Sequence, residues 1–99
     1  MKVLAIEREV PGVSAVDFTP QLKKAEAAAA WELYQSGAIR ELYFRQDQSS
    51  AVLVLECPDM AAARHVLEGL PLVEDSLISF EIIPLVAYPG FERLFENKG

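Results

Sequence analysis

Three residue types are almost missing from this chain of 99: it has one cysteine, one histidine and one tryptophan. Cys57 alone cannot form an internal disulfide, and a chain without disulfides is expected in the cytoplasm. His65 alone excludes a histidine-rich metal centre. The helical wheel turns it opposite Met60, Ala63 and Leu67, toward solvent, and no Ser/His/Asp set can be assembled. The five glycines are scattered at turns, so neither a phosphate-cradling loop nor a dinucleotide fingerprint is present. Cations are also scarce. Nine Lys and Arg stand against fifteen Asp and Glu, a net charge of −6. Nucleic acids and anionic membranes attract basic surfaces, so neither is expected as a partner. The stretch SSAVLVLEC also lacks the exposed aromatics that stack on bases. No apolar run approaches the ~20 residues of a membrane-spanning helix. The start, MKVLAIEREV, is too short and too charged for a signal peptide.

What is abundant is apolar surface: 52% of residues are hydrophobic and 24% charged, the composition of one globular domain over residues 1–99. Residues 2–9 alternate as a strand. Pro11-Gly12 marks a loop, and Thr19-Pro20 a helix start, because the hydroxyl caps free N–H groups and proline suits the first turn. That helix is expected to run to about Gln35 and end at Gly37. IRELYFRQ (39–46) reads as a second strand and AVLVLEC (51–57) as a third. Pro58-Asp59 opens a second helix that ends near Gly69. LISFEIIPL (77–85) is the fourth strand. The order β-α-β-β-α-β predicts an α+β, ferredoxin-like fold, with two helices on one face of a four-stranded antiparallel sheet.

Both faces of that sheet are apolar. Leu22, Ala25, Ala29 and Leu33 of the first helix, with Met60, Ala63, Leu67 and Leu70 of the second, are expected to cover Leu4, Ile6, Leu42, Phe44, Leu53, Leu55, Ile78, Phe80 and Ile82. The other face is then Val3, Ala5, Tyr43, Val52, Val54 and Ile83. Exposing such groups would forfeit about 1.5–3 kcal/mol each, so a second copy is expected to pack sheet against sheet. Ala27, Trp31 and Tyr34 form another apolar stripe on the first helix. Phe91, Leu94 and Phe95 in the tail have the spacing to clip onto a neighbour. Glu81, Ser79, Glu41, Tyr43, Arg45, Glu7 and Glu56 are expected on the uncovered face. Carboxylates desolvated there gain proton affinity, as a general acid or base requires. Tyr43 would donate to a bound carbonyl, and Arg45 would hold a carboxylate or pair with Glu41 or Glu56.

The stretch GLPLVEDSLISFEIIPLVAYP (69–89) resembles muconolactone isomerase. Leu70-Pro71-Leu72, Glu81, Pro84-Leu85 and Tyr88-Pro89 fall at matching places, with Tyr88 where that family has histidine. Glu32-Leu33, Gly37, Arg40 and Leu42 resemble its helix end and second strand. The resemblance implies a dimeric α+β barrel, often assembled into larger rings, that shifts protons on a small unsaturated lactone without a cofactor. The expected function is therefore a cofactor-free isomerase of a small lactone or organic acid. Glu81 or Glu41 would be the catalytic base, and Tyr43, Arg45, Ser79 and Tyr88 would bind substrate. The alternative is a non-catalytic module of the same fold for ligand binding or homo-oligomeric assembly. A cofactor-free oxygenase of the same barrel type is the less favoured enzyme.

Overall fold

The first helix begins where the sequence caps it. Thr19 Oγ1 accepts from Leu22 N at 3.2 Å, Pro20 fills the first turn, and Gly37 ends the helix at φ 87°. That left-handed backbone strains any residue with a Cβ. Thr19→Ala should cost about 1 kcal/mol of stability, read as a lower midpoint in chemical denaturation with an unchanged slope.

The computed structural model describes residues 1–96. Its elements are β1 (Lys2–Glu9), α1 (Pro20–Ser36), β2 (Ile39–Phe44), β3 (Ala51–Glu56), α2 (Met60–Glu68), α3 (Pro71–Glu74) and β4 (Ile78–Leu85). Short 3-10 turns occupy Ala15–Asp17 and Pro89–Leu94. The strands form one antiparallel sheet in the order β2-β3-β1-β4. Both longer helices lie against one face, so the α+β ferredoxin-like arrangement is as expected. The addition is α3, a single turn that the Leu-Pro-Leu stretch starts with Pro71 in its first turn.

The core centres on Leu55, fully buried between Val3 of β1 and Ile39 of β2. Ala63 and Leu67 of α2, and Leu70 beyond it, close over it as expected. The phase of β1 is the reverse of the expectation. Val3 and Ala5 are fully buried under the helices, whereas Leu4 and Ile6 are half-buried on the open face. The strand is apolar on both sides, so its alternation carries no phase. Pairing decides it: Val3 opposes Leu55 and Ala5 opposes Leu53, which fixes both on the covered side. Glu7 follows in the same phase and also lies on the covered face.

Two further expectations fail at the sheet edge. Strict alternation along IRELYFRQ puts Ile39 on the same side as Glu41 and Tyr43, but a register shift between Ile39 and Glu41 turns Ile39 inward, to 1% exposure, while Glu41 and Tyr43 stay on the open face. Leu42 and Phe44, placed under the helices by alternation, are 44% and 72% exposed, because the helices cover the sheet's centre and not the end of its edge strand. On α1 the inward stripe carries Glu26 where Ala25 was expected. No helix among the described residues is long and apolar enough to cross a membrane.

Candidate functional site

The open face is built in rungs. Tyr43, Val52, Ile6 and Glu81 oppose one another across β2, β3, β1 and β4, and the next rung is Glu41, Val54, Leu4 and Ile83. An apolar band thus runs down the middle, with polar groups at both edges. Glu41 and Glu81 share the face but sit on its two outer strands, about 14 Å apart at ~4.8 Å per strand. One small substrate on a lone protomer cannot touch both. Glu81 is ion-paired with Arg8, a residue the sequence reading left out, and Ser79 opposes Arg8 on the neighbouring rung. Tyr43 donates to Glu41 at 2.8 Å, and that carboxylate raises the phenol's pKa. Arg45 pairs with neither Glu41 nor Glu56 but with Asp47, at 2.6 and 2.9 Å, beyond the end of β2. Glu56 is engaged by the amino terminus at 2.6 Å. Tyr88 lies in the tail, edge-to-face with Phe91.

A second site lies at the end of the sheet where β1 finishes. The loop after β1, the β2–β3 turn and the start of β4 enclose a cleft of about 340 Å³, a size that suits a small organic ligand. Glu7 and Glu9 line it. Ser14, Gln48, Ser49 and Ser50 supply uncharged polar groups, and Val13, Phe18 and Ile78 an apolar wall. No lysine or arginine lines it. Gln48 Nε2 donates to Ser50 Oγ at 3.3 Å.

Glu7 is the carboxyl of this cleft that burial perturbs. Pairing of β1 with β3 stops at Ile6–Val52, so the N–H of Ala51 has no strand partner there, and Glu7 Oε1 accepts from it at 2.9 Å. Burial raises the Glu7 carboxyl above its usual 4.5, the Ala51 bond opposes this, and Glu9 adds to the rise. Oε2 receives no hydrogen bond among the described residues. Behind it, Glu26 Oε1 accepts from Leu72 N at 3.0 Å, supplying the first turn of α3 with an acceptor that the helix lacks. Glu26 is also pushed above 4.5, first by burial and then by the charge of Glu7, with the Leu72 bond opposing. Glu7 therefore lies on the face opposite the one that alternation predicts, and Glu26 joins it as an inward acid not among the expected site residues. The signal was available in the inward spacing of Leu22, Glu26, Ala29 and Leu33.

These shifts carry a pH dependence. A carboxyl whose folded pKa is raised holds a proton in the folded chain that the unfolded chain has already lost. Stability is therefore intact below about 4.5 and falls as pH rises toward the folded pKa. Glu26→Gln keeps an acceptor for Leu72 N and removes one ionisation, so its stability curve should fall less steeply above pH 4.5. Denaturant midpoints across pH 4–8 would check this. An unchanged slope would mean that Glu26 titrates alike in both states.

Cys57 is buried, which pushes its thiol up and makes it unreactive. His65 is exposed, as expected. Among the described residues no group of three or more His, Cys, Asp or Glu could hold a metal ion.

The family model for muconolactone delta-isomerase matches residues 3–90. The chain belongs to the muconolactone delta-isomerase family. Its fold is similar to that of a solved muconolactone isomerase, with a TM-score of 0.70, 24% identity, and coverage of 90% of this chain and 92% of that one. It is also similar to 5-chloro-2-hydroxyhydroquinone dehydrochlorinase (TftG) from Burkholderia phenoliruptrix AC1100, solved in complex with 2,5-dihydroxybenzoquinone. There the TM-score is 0.69 at 14% identity, covering 91% of this chain and 98% of that one. At these identities the likeness to the solved structures is one of fold. No curated protein matches the chain. Apart from Lys2, both the four-stranded sheet and the Leu-Pro-Leu turn fall inside the stretch that the muconolactone delta-isomerase family matches.

Proposed function

We propose that this member of the muconolactone delta-isomerase family is a cofactor-free isomerase that moves a proton on a small unsaturated lactone, with Glu7 as the base. The observation that carries this reading is a carboxyl raised by burial, with one free oxygen, on the wall of a ligand-sized cleft. Ionised Glu7 would take the proton from the γ carbon of an α,β-unsaturated lactone. The electron pair would spread through the double bond onto the carbonyl oxygen. The same carboxyl would then return the proton at the α carbon, leaving the double bond between β and γ. Atoms and charge balance with nothing added. Gln48 and the serines would face the developing oxyanion.

The cleft's charge narrows the substrate. Two carboxylates and no cation would repel an acid, so the lactone is one without a carboxylate. A second site reading keeps Glu81 as the base, with Glu41, Tyr43, Arg45, Ser79 and Tyr88 around it, on the open sheet face under a second copy of the chain. The Arg8–Glu81 pair favours it, because a guanidinium on an apolar face is what a carboxylate-bearing substrate would seek. We propose the second copy in either case, since Leu4, Ile6, Val52, Val54 and Ile83 make a half-buried apolar band that the chain's own helices do not cover.

A panel of butenolides, each with and without a carboxylate side arm, tests this by loss of the ultraviolet absorbance of the conjugated double bond. Turnover of the neutral members supports the cleft. Turnover of only the acids moves the chemistry to the sheet face. Turnover of none, in a chain that still associates, leaves the non-catalytic assembly module.

A further inference from the structure

The shift in β2 does more than turn Ile39 inward. β2 advances two residues, from Ile39 to Glu41, while β3 advances one, from Leu55 to Val54. Arg40 is the extra residue and has no cross-strand partner. Such a bulge re-aims the side chain it carries. Arg40 Nε donates to the Gly37 carbonyl at the end of α1, at 2.7 Å, and the guanidinium lies beside the Gly37 backbone, with Nε and Nη2 3.8 and 3.9 Å from where a Cβ would stand. A cation there complements the helix carbonyls, but that role uses Nε alone. Both Nη groups make no hydrogen bond, and Arg40 joins no salt bridge, among the described residues.

Arg40 lines a groove of about 540 Å³ between α1 and β2. Ala27 and Ala30 are small enough to leave its floor open. Trp31 and Tyr34 form a wall of two rings, with centroids 6.0 Å apart and planes tilted by 31°. These rings are 58% and 50% exposed, so their apolar faces are still to be covered. Glu41 is the one acid among the described residues that line the groove, and Tyr43 already donates to it at 2.8 Å. The groove shares no lining residue with the cleft of Glu7.

We propose that this groove binds a planar, ring-bearing monocarboxylate, its carboxylate on Nη1 and Nη2 of Arg40 and its ring against Trp31 and Tyr34. A guanidinium fork matches a carboxylate with two charge-assisted bonds, and a flat ring stacks on aromatic faces. A phosphate monoester fits worse, because a single guanidinium meets its two charges and Glu41 repels them. The groove binds its ligand whether or not Glu7 is the catalytic base.

Trp31 is the chain's only tryptophan, so its emission reports the groove. The probe is benzoate, with benzamide as its uncharged counterpart and cyclohexanecarboxylate as its non-planar one. Excitation at the red edge of indole absorption avoids all three. Benzoate should change the emission saturably at or below about 10 mM. Benzamide should bind about 10–100-fold more weakly, the contribution of hydrogen bonds to a charged group, and cyclohexanecarboxylate more weakly than benzoate. Arg40→Gln should bind benzoate no better than benzamide, with far-ultraviolet circular dichroism unchanged. Glu7→Gln should bind benzoate as the parent does. The comparison of the three probes on the parent chain needs no variant, so it decides the matter even if Arg40→Gln does not fold. No saturable change with benzoate, equal affinity for benzoate and either counterpart, full benzoate binding by folded Arg40→Gln, or its loss in Glu7→Gln each overturns the proposal.

Discussion

Replacing Glu7 by glutamine is expected to lower turnover of a neutral butenolide about 10²–10⁴-fold, the usual contribution of a positioned general base, with little change in KM. The substitution is close to isosteric. Its carbonyl oxygen still accepts from Ala51 N, so the start of β3 keeps its anchor. The variant should therefore fold and, at neutral pH, be no less stable than the parent, because it no longer has to ionise a half-buried group. This opposition of lost activity and retained stability separates a catalytic role from a structural one. The parent's pH profile supplies a second check. Glu7 acts as a base only when ionised, and its carboxyl is raised above 4.5 by burial. The acid limb of kcat/KM should therefore have its midpoint above 4.5, and it should vanish from the residual activity of the glutamine variant. Glu81→Gln and Glu41→Gln should leave neutral turnover essentially unchanged. A large loss in either, with Glu7→Gln active, would put the base on the sheet face.

Most of the architecture was legible because local signals agreed with one another. Thr19-Pro20 and Gly37 bound α1, Asp59 caps α2 through Ala62 N at 2.8 Å, and the apolar run of AVLVLEC is the inner strand β3. What failed was the inside and outside of β1. Its residues Val3 to Ile6 are apolar without interruption, so period-2 alternation has nothing to lock onto. The sequence shows such a strand but not its phase, which depends on hydrogen-bond register with β3 and β4. That error put Glu7 among the open-face acids and so hid the cleft. The shift at Ile39–Glu41 is of the same kind: one extra residue reverses a face, and no residue type announces it. Arg45 shows the remaining limit. Its nearest acid along the chain lies past the strand end, and a turn brings Asp47 to it where alternation favoured Glu41 or Glu56.

Replacing Val54 by aspartate should abolish association through the sheet. Val54 sits at the middle of the open face, opposite Leu4 on β1 and Glu41 on β2. In a lone protomer the new carboxylate stays partly in water, so the fold should survive with at most a modest loss. Under a second sheet it would be buried without a cationic partner, which costs about 3–5 kcal/mol and raises the dissociation constant about 10²–10⁴-fold. Sedimentation equilibrium would show the change as dissociation at concentrations where the parent is assembled. Val16→Asp is the matched control, since Val16 is 84% exposed in the loop before α1, and it should leave the mass unaltered. The physical driver is the half-buried band on this face. Each of its five aliphatic side chains retains part of the about 1.5–3 kcal/mol available on full burial. That makes about 5 kcal/mol per copy, comparable with the whole margin of a small domain. An unchanged mass in Val54→Asp would mean that this band stays in water, and any association would then run through another surface.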